Sequence, residues 1–169
     1  LTSTSDKVSP IIDTARNSVI TIENIVNNLS TNEAASSGGD ALARYVTRRV
    51  NLKDGFDATD LTVYVSCNRQ AGTSIKVYYK ILSQFDADTF ANRPWQLMAE
   101  TTNIITVSGS DNASDYLELQ FDPAGANTNY TSNSVIYNSF KVFAVKIVMN
   151  SASTSTVPLL KDLRVIALA

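Results

Sequence analysis

The sequence predicts an all-β protein: a β-sandwich or jelly-roll-like domain behind an extended N-terminal arm. Apolar and polar residues alternate along several short segments that turn residues separate, which is typical of half-buried strands. No strand–helix–strand rhythm appears, which disfavours a doubly wound α/β fold. A length of 169 residues suits one domain with an appended segment. We therefore divide the chain into an arm with a Ser/Gly linker, 1–40, and a sandwich domain, 41–169.

The clearest strands are predicted at 61–67 and 74–83, where every second residue is apolar. A short loop joins them and contains Gly72, which can adopt positive φ, so we predict that they form a hairpin. Segment 140–149 is apolar on both faces and is predicted to be a central strand. Further strands are predicted at 44–52, 103–107, 116–121 and 159–168.

The arm carries apolar residues at alternating spacings of three and four, a pattern typical of a helix or a coiled-coil seam. These residues are Ile12, Ala15, Val19, Ile22, Val26 and Leu29. Residues 19–22 are all β-branched, however, and Pro10 disfavours helix at Ser9. We favour an extended arm with a strand and keep a partly helical arm as the alternative. The predicted interface residues are Ile12, Val19, Ile22, Val26 and Leu29.

Residues 30–40 (STNEAASSGGD) have the composition of a linker. The net charge of −2 and the lack of a basic cluster argue against nucleic-acid binding. No run approaches the ~20 apolar residues of a membrane helix. Only 18% of residues are charged, and a surface of short polar side chains suits a chain packed among partners.

Catalytic chemistry is not expected. The chain has no histidine, which removes the commonest general base, the usual triads and most zinc sites. Cys67 lies on the apolar side of its strand and is predicted to be a buried thiol. Gly38 and Gly39 are not followed by a P-loop lysine. We therefore predict no enzyme activity, no cofactor and no resident metal.

Two groups of carboxylates are candidate sites. Asp54, Asp57 and Asp60 lie in a predicted turn, where aspartates bond to their own backbone. Asp86 and Asp88 follow a strand, and turn formation is again the favoured interpretation. The alternative for this second pair is a share in a calcium site, because calcium takes hard oxygen ligands.

The aromatic residues leave two interpretations open. Trp95 and Tyr78 could stack on a carbohydrate if their rings are exposed. Alternatively, Phe85, Phe90 and Trp95 fold a long loop back over the sheet edge.

Arg48 shares its predicted strand face with Val46, Val50 and Leu52. A charge on an apolar face requires a carboxylate partner, either within the chain or across an interface. The alternative is an edge strand, from which the guanidinium reaches water.

Three stretches resemble structural proteins of tailed bacteriophages, with the closest similarity to T4-like myoviruses of cyanobacteria. The central stretch is TRRVNLKDGFDATDLTVYVSCNRQAGTSIKVYYKILSQFDADTFANRPWQLM, and its turn residues and aromatics make it fairly specific. The flanking stretches are SPIIDTARNSVITIEN and FKVFAVKIVMNSASTSTVPLLKDLRVIAL. Together they cover most of the chain, in the order that the family has.

This resemblance implies a virion component of the tail, baseplate or fibre-attachment region, made in the host cytoplasm. It implies other phage structural proteins as partners, a homo- or hetero-oligomer, and no catalytic residues. A segment of a longer chain is implied as well, in keeping with a first residue of Leu1. Cys67, Asn68 and Arg69 depart from the family's pattern, which leaves that turn open. The alternative function is a carbohydrate-binding module that recognises the host surface.

Overall fold

The computed structural model describes residues 8–13, 18–101, 115–125 and 128–169, with side chains from residue 24 onward. The described residues form strands and no helix, so the predicted all-β class is confirmed. The strands are β1 (Val8–Asp13), β2 (Ser18–Glu23), β3 (Ala43–Val46), β4 (Val50–Asn51), β5 (Asp60–Asn68), β6 (Thr73–Leu82), β7 (Gln96–Glu100), β8 (Leu117–Pro123), β9 (Tyr130–Ser132), β10 (Val135–Tyr137), β11 (Val142–Ser151) and β12 (Leu159–Leu168).

Eight of the described strands belong to one curled antiparallel sheet, in the order β12-β5-β8-β7-β6-β11-β3, with β4 also paired to β11. Strand β7 joins two layers, because it pairs with β6 through Leu97 and with β8 through Met98. One layer contains β12, β5 and β8, and the other contains β6, β11, β3 and β4. Strands β9 and β10 form a separate hairpin.

The core lies between the two layers. It is built from the apolar positions that alternate along β5, β6, β8 and β11, and Cys67 is buried there as predicted. Its largest fully buried apolar side chains are Phe140, Leu61, Ile81, Leu119, Ile147, Val63, Val65, Val77 and Val145.

The predicted hairpin between the strands at 61–67 and 74–83 is wrong, although both strands exist. Strand β5 pairs with β12 and β8, whereas β6 pairs with β7 and β11. Each strand has one strongly apolar face. Because the two strands lie in opposite layers, these faces meet across the core and both are buried. The loop with Gly72, at φ +81°, therefore crosses from one layer to the other.

The other strand predictions are largely confirmed. Strand β11 is central, between β6 and the β3–β4 edge, and β12 spans the predicted 159–168. The predicted strand at 44–52 is split into β3 and β4 at Thr47. The Thr47 N–H donates to the Val145 carbonyl, but the Val145 N–H donates to the Thr47 hydroxyl oxygen instead of a backbone carbonyl, which interrupts the ladder. The predicted strand at 103–107 lies outside the described residues.

The arm is extended, so the helical alternative is wrong for the described residues 8–13 and 18–23. Strands β1 and β2 form an antiparallel hairpin in which Ile12 is directly opposite Val19. Two members of the apparent helical stripe are thus cross-strand partners. In the part of the chain that the structure describes, no helix could cross a bilayer.

Candidate functional site

Residues 24–42, which we call the strap, lie across the outer face of β6 and β11. The Asn27 carbonyl accepts a hydrogen bond from Ser151 N at 3.1 Å. The Leu29 carbonyl accepts one from Asn150 Nδ2 at 2.6 Å. Lys76 Nζ donates to Ser30 Oγ at 2.9 Å. Residues 30–40, which have the composition of a linker, are therefore held against the sheet by polar side chains that point outward from it.

A buried ion pair holds the centre of the strap. Lys146, on β11, is fully buried, and its Nζ donates to Glu33 Oε2 at 2.8 Å and to the Glu33 carbonyl at 2.7 Å. The Gly38 carbonyl also accepts from it. Burial opposes ionisation of Glu33, but hydrogen bonds from Lys146 and from Ala41 N outweigh it and lower the pKa of Glu33. Burial lowers the pKa of Lys146 as well, and its hydrogen bond to Glu33 opposes that shift, so the contact favours the carboxylate of Glu33 and partly offsets the burial of the ammonium group.

Gly39 makes room for this ion pair. Its φ is +107°, and a Cβ at this position would lie 2.4 Å from the Glu33 carboxyl group. An L-residue is disfavoured here both by its backbone conformation and by the collision. Gly39 is therefore a packing residue, and the only sequence signal for it is its position four residues before the sheet strand β3.

Trp95 and Tyr78 are not available to a carbohydrate. Both are buried, at 7% and 6% exposure, so the prediction that they stack on a ligand is wrong. Their rings face the protein's own cations: Lys80 Nζ lies 4.8 Å from the Trp95 ring centre, and Lys146 Nζ lies 4.7 Å from that of Tyr78. The backbone N–H of Trp95 also donates to the Ala34 carbonyl of the strap at 2.9 Å.

The alternative interpretation of the aromatic residues is confirmed in part. Phe90 is half-buried and packs with Trp95 on the outer face of the sheet, as a loop folded back over it would. Phe85 is 73% exposed and does not take part.

Asp86 anchors the loop that follows β6. Its carboxylate accepts hydrogen bonds from Asp88 N at 3.0 Å and from the Tyr130 hydroxyl at 3.0 Å. Ser132 Oγ donates at 3.3 Å, and Arg93 lies 3.9 Å away. Burial of Asp86 opposes ionisation, but these donors outweigh it and lower its pKa.

These contacts confirm the turn interpretation for this pair of aspartates. Among the residues that the structure describes, no three His, Cys, Asp or Glu side chains come together as metal ligands would. Burial raises the pKa of the neighbouring Tyr130 to about 12, so its hydroxyl remains a donor.

Arg48 is exposed between β3 and β4, at the edge of the sheet, and its pairing with a carboxylate across an interface stays a prediction. The arginine with a firm partner is Arg69, which binds both carboxylate oxygens of Glu100 at 2.7 and 3.0 Å. The sequence did not point to this pair, because its members are 31 residues apart.

The curled sheet is open between its two edge strands. Within the described residues, β3 and β12 each pair on one side only. A groove of about 620 Å³ lies between them, and we call it the mouth. Tyr45, Ile147 and Met149 line it from one layer, and 158–163 line it from the other. A second groove of about 360 Å³ adjoins the mouth and is lined by Asn24, Ile25, Val26, Ala43, Met149, Val157 and Pro158.

The predicted interface residues of the arm differ in how accessible the structure shows them to be. The side chains of Ile12, Val19 and Ile22 lie outside the described residues. Val26 is 7% exposed and packs within its own domain, so it is not accessible to a partner. Leu29 is 55% exposed on the strap and is accessible.

No protein-family model matches the sequence, and no curated protein is significantly similar to it. The function of the chain is therefore inferred from its residues and their geometry.

Proposed function

We propose that this chain is a structural module of a tailed-phage virion, in the tail, baseplate or fibre-attachment region, and that it works through protein–protein contacts without catalysis. The observation that supports this best is the mouth. Within the described residues, two sheet edges there leave backbone N–H and C=O groups without strand partners beside an apolar groove. Natural proteins cover such edges or use them to bind another chain.

The buried charged groups support a structural role, because each is already engaged within the chain. Glu33 is paired with Lys146, Arg69 with Glu100, and Asp86 accepts several hydrogen bonds. Burial raises the pKa of the Cys67 thiol to about 11, so the thiolate nucleophile is scarce at neutral pH.

The family resemblance of the sequence supplies the virion context. Its central stretch contains β5 and β6, which contribute to the core from opposite layers. Its last stretch contains β11 and β12. A carbohydrate-binding role has lost its support, since Trp95 and Tyr78 are covered.

The virion location is tested with antibodies raised against the purified chain. We expect gold-labelled antibody to decorate tails of the phage that encodes the chain in negative-stain electron microscopy. Lysate from uninfected host cells is the control for nonspecific binding. Particles that stay unlabelled, or that are labelled on the head alone, would contradict the proposal.

A further inference from the structure

We propose that the mouth of one copy binds the β1–β2 arm of a second copy by strand addition to β12. This inference rests on the structural role proposed above and names the partner.

The acceptor is the free edge of β12. This strand is ten residues long, and within the described residues it pairs only with β5. Leu160 and Leu163 on its inner face are only half-buried, and Tyr45 opposite them is 50% exposed. A strand added to β12 would direct every second side chain into the mouth, between these residues.

The donor is the arm. Strands β1 and β2 are six residues each, and among the described strands they pair only with each other. An isolated two-stranded hairpin is marginally stable in water, so this one requires a surface to pack on. Its sequence supplies apolar residues for that purpose: Val8, Ile11, Ile12, Val19, Ile20 and Ile22.

The arm leaves the domain beside the mouth. Asn24 and Val26, just after β2, line the adjoining groove, which shares Met149 and Pro158 with the mouth. Yet within the described residues neither strand of the arm pairs with β3 or β12 of its own chain. The arm thus leaves the domain near this edge without pairing to it in the described residues, so the mouth of a neighbouring copy is within the range of contacts that the arm can make.

Charge favours the same partner. Segment 41–53 contains the edge strand β3, from which Tyr45 lines the mouth, and it has four basic residues and no acidic one. The arm, 8–23, contains Asp13 and Glu23 against one arginine. Because the donating and accepting surfaces differ, donation in one direction builds a ring or an open chain of copies, whereas reciprocal exchange of arms closes a two-fold dimer.

The test places a photo-crosslinking benzoylphenylalanine at Tyr45 in the full chain. Equal amounts of ¹⁴N- and ¹⁵N-labelled chains are mixed, irradiated and digested, and crosslinked peptides are identified by mass spectrometry. We expect mixed-isotope crosslinks that join Tyr45 to residues 8–23 of the other chain. The same probe at Phe56, which is 61% exposed on a turn away from the mouth, is the control and should not capture the arm.

A second variant, Ile20→Asp, should lower the yield of these crosslinks roughly tenfold or more, because an aspartate would have to leave water on binding. Crosslinks to the arm within one isotope only would show that each chain fills its own mouth, and would overturn the inference. Capture of a different segment, or no capture, would overturn it as well. Antibody labelling of phage tails is independent of all these outcomes, so the proposed function can stand if this inference fails.

Discussion

At the scale of single residues, the strap depends on the close approach of a glycine to a buried carboxylate. The Glu33 carboxyl group accepts hydrogen bonds from Lys146 and Ala41 while Gly39 lies against its other side. Packing of this kind leaves no space for a methyl group, because protein interiors contain few voids.

Gly39→Ala should therefore destabilise the protein by on the order of 3 kcal/mol, through backbone strain and displacement of a buried ion pair. Gly55→Ala is the matched control: Gly55 also has positive φ, +83°, but a Cβ there would meet nothing within 4 Å. We expect it to cost only about 1 kcal/mol. Urea unfolding measures both, and equal losses would show that the contact with Glu33 has no effect.

Lys146 and Lys80 are both buried, yet only Lys146 has a carboxylate partner among the described residues. Lys146→Met should cost about 3–5 kcal/mol, because it leaves the Glu33 charge buried and unpaired. Lys80 donates to two carbonyls, of Ser36 and Ala91, and burial, followed by the charge of Lys146, lowers its pKa.

Lys80→Met should therefore change stability by less than about 1 kcal/mol, since Met fills similar space without a buried charge. Adding Glu33→Gln to Lys146→Met should restore part of the loss. Equal unfolding free energies for the two lysine variants would show that the ion pair between Glu33 and Lys146 does not stabilise the strap more than the hydrogen bonds of Lys80 do.

Acid should lower the free energy of unfolding, because two buried carboxylates become protonated. The pKa values of Glu33 and Asp86 are lower in the folded state than their ordinary values, so the unfolded chain binds protons more readily as pH falls. Their stabilisation is complete above about pH 4–5 and is lost as pH falls through the folded-state pKa values. We expect unfolding free energies measured between pH 6 and roughly 2.5 to decline at the acid end, and Glu33→Gln to flatten the decline. An unchanged slope in that variant would contradict the role of Glu33.

At the scale of elements, the strap and the sheet can be followed with one fluorophore. Trp95 is the only tryptophan, and the strap covers it through Ala34 and Ala41. Acrylamide should quench its fluorescence weakly in the native protein. Gly39→Ala should increase quenching and shift emission to the red, whereas Gly55→Ala should not. Strong quenching of the native chain would contradict the covered position of Trp95.

The sequence predicts where strands lie better than it predicts which strands pair with each other. The alternation in β5 and β6 fixed which side chains point inward, because a strand has a period of two. It did not reveal whether two apolar faces lie side by side or face to face, since both arrangements bury the same residues. The short loop at Gly72 favoured a hairpin, and only the pairing of β11 with β6 and of β12 with β5 decides otherwise.

The strap and the mouth were beyond sequence reasoning for a different reason. Small polar residues between 30 and 40 are typical of linkers, yet here the Glu33 and Gly38 carbonyls accept hydrogen bonds from Lys146, more than a hundred residues later. The mouth depends on which strands end up at the sheet edges, which no local pattern encodes. The candidate ligand residue Trp95 was misinterpreted because aromatic composition does not distinguish a covered ring from an exposed one.

At the scale of the whole molecule, Cys67 can report on global opening. It is fully buried in the core, opposite Leu160 of β12, and burial raises its pKa to about 11, so a thiol reagent reaches it only when the two layers separate. Labelling rates should rise with urea in parallel with global unfolding, and the apparent opening free energy should match that from denaturation. Rapid labelling in native buffer would mean that the layers part locally without unfolding.

The order of residues along the chain determines when the strap can bind to the sheet during synthesis. Glu33 is synthesised 113 residues before Lys146, the residue that binds it, and Leu29 is synthesised 121 residues before Asn150. A ribosome must therefore release most of the chain before the root of the arm can be fixed beside the mouth. Until then β11 is missing, and with it one wall of the mouth, so a nascent chain lacks the acceptor as well as the anchored donor. Ribosome-bound chains stopped before Lys146 should leave Trp95 open to quencher, and neighbours on one messenger would be unable to assemble before Lys146 of each has been synthesised.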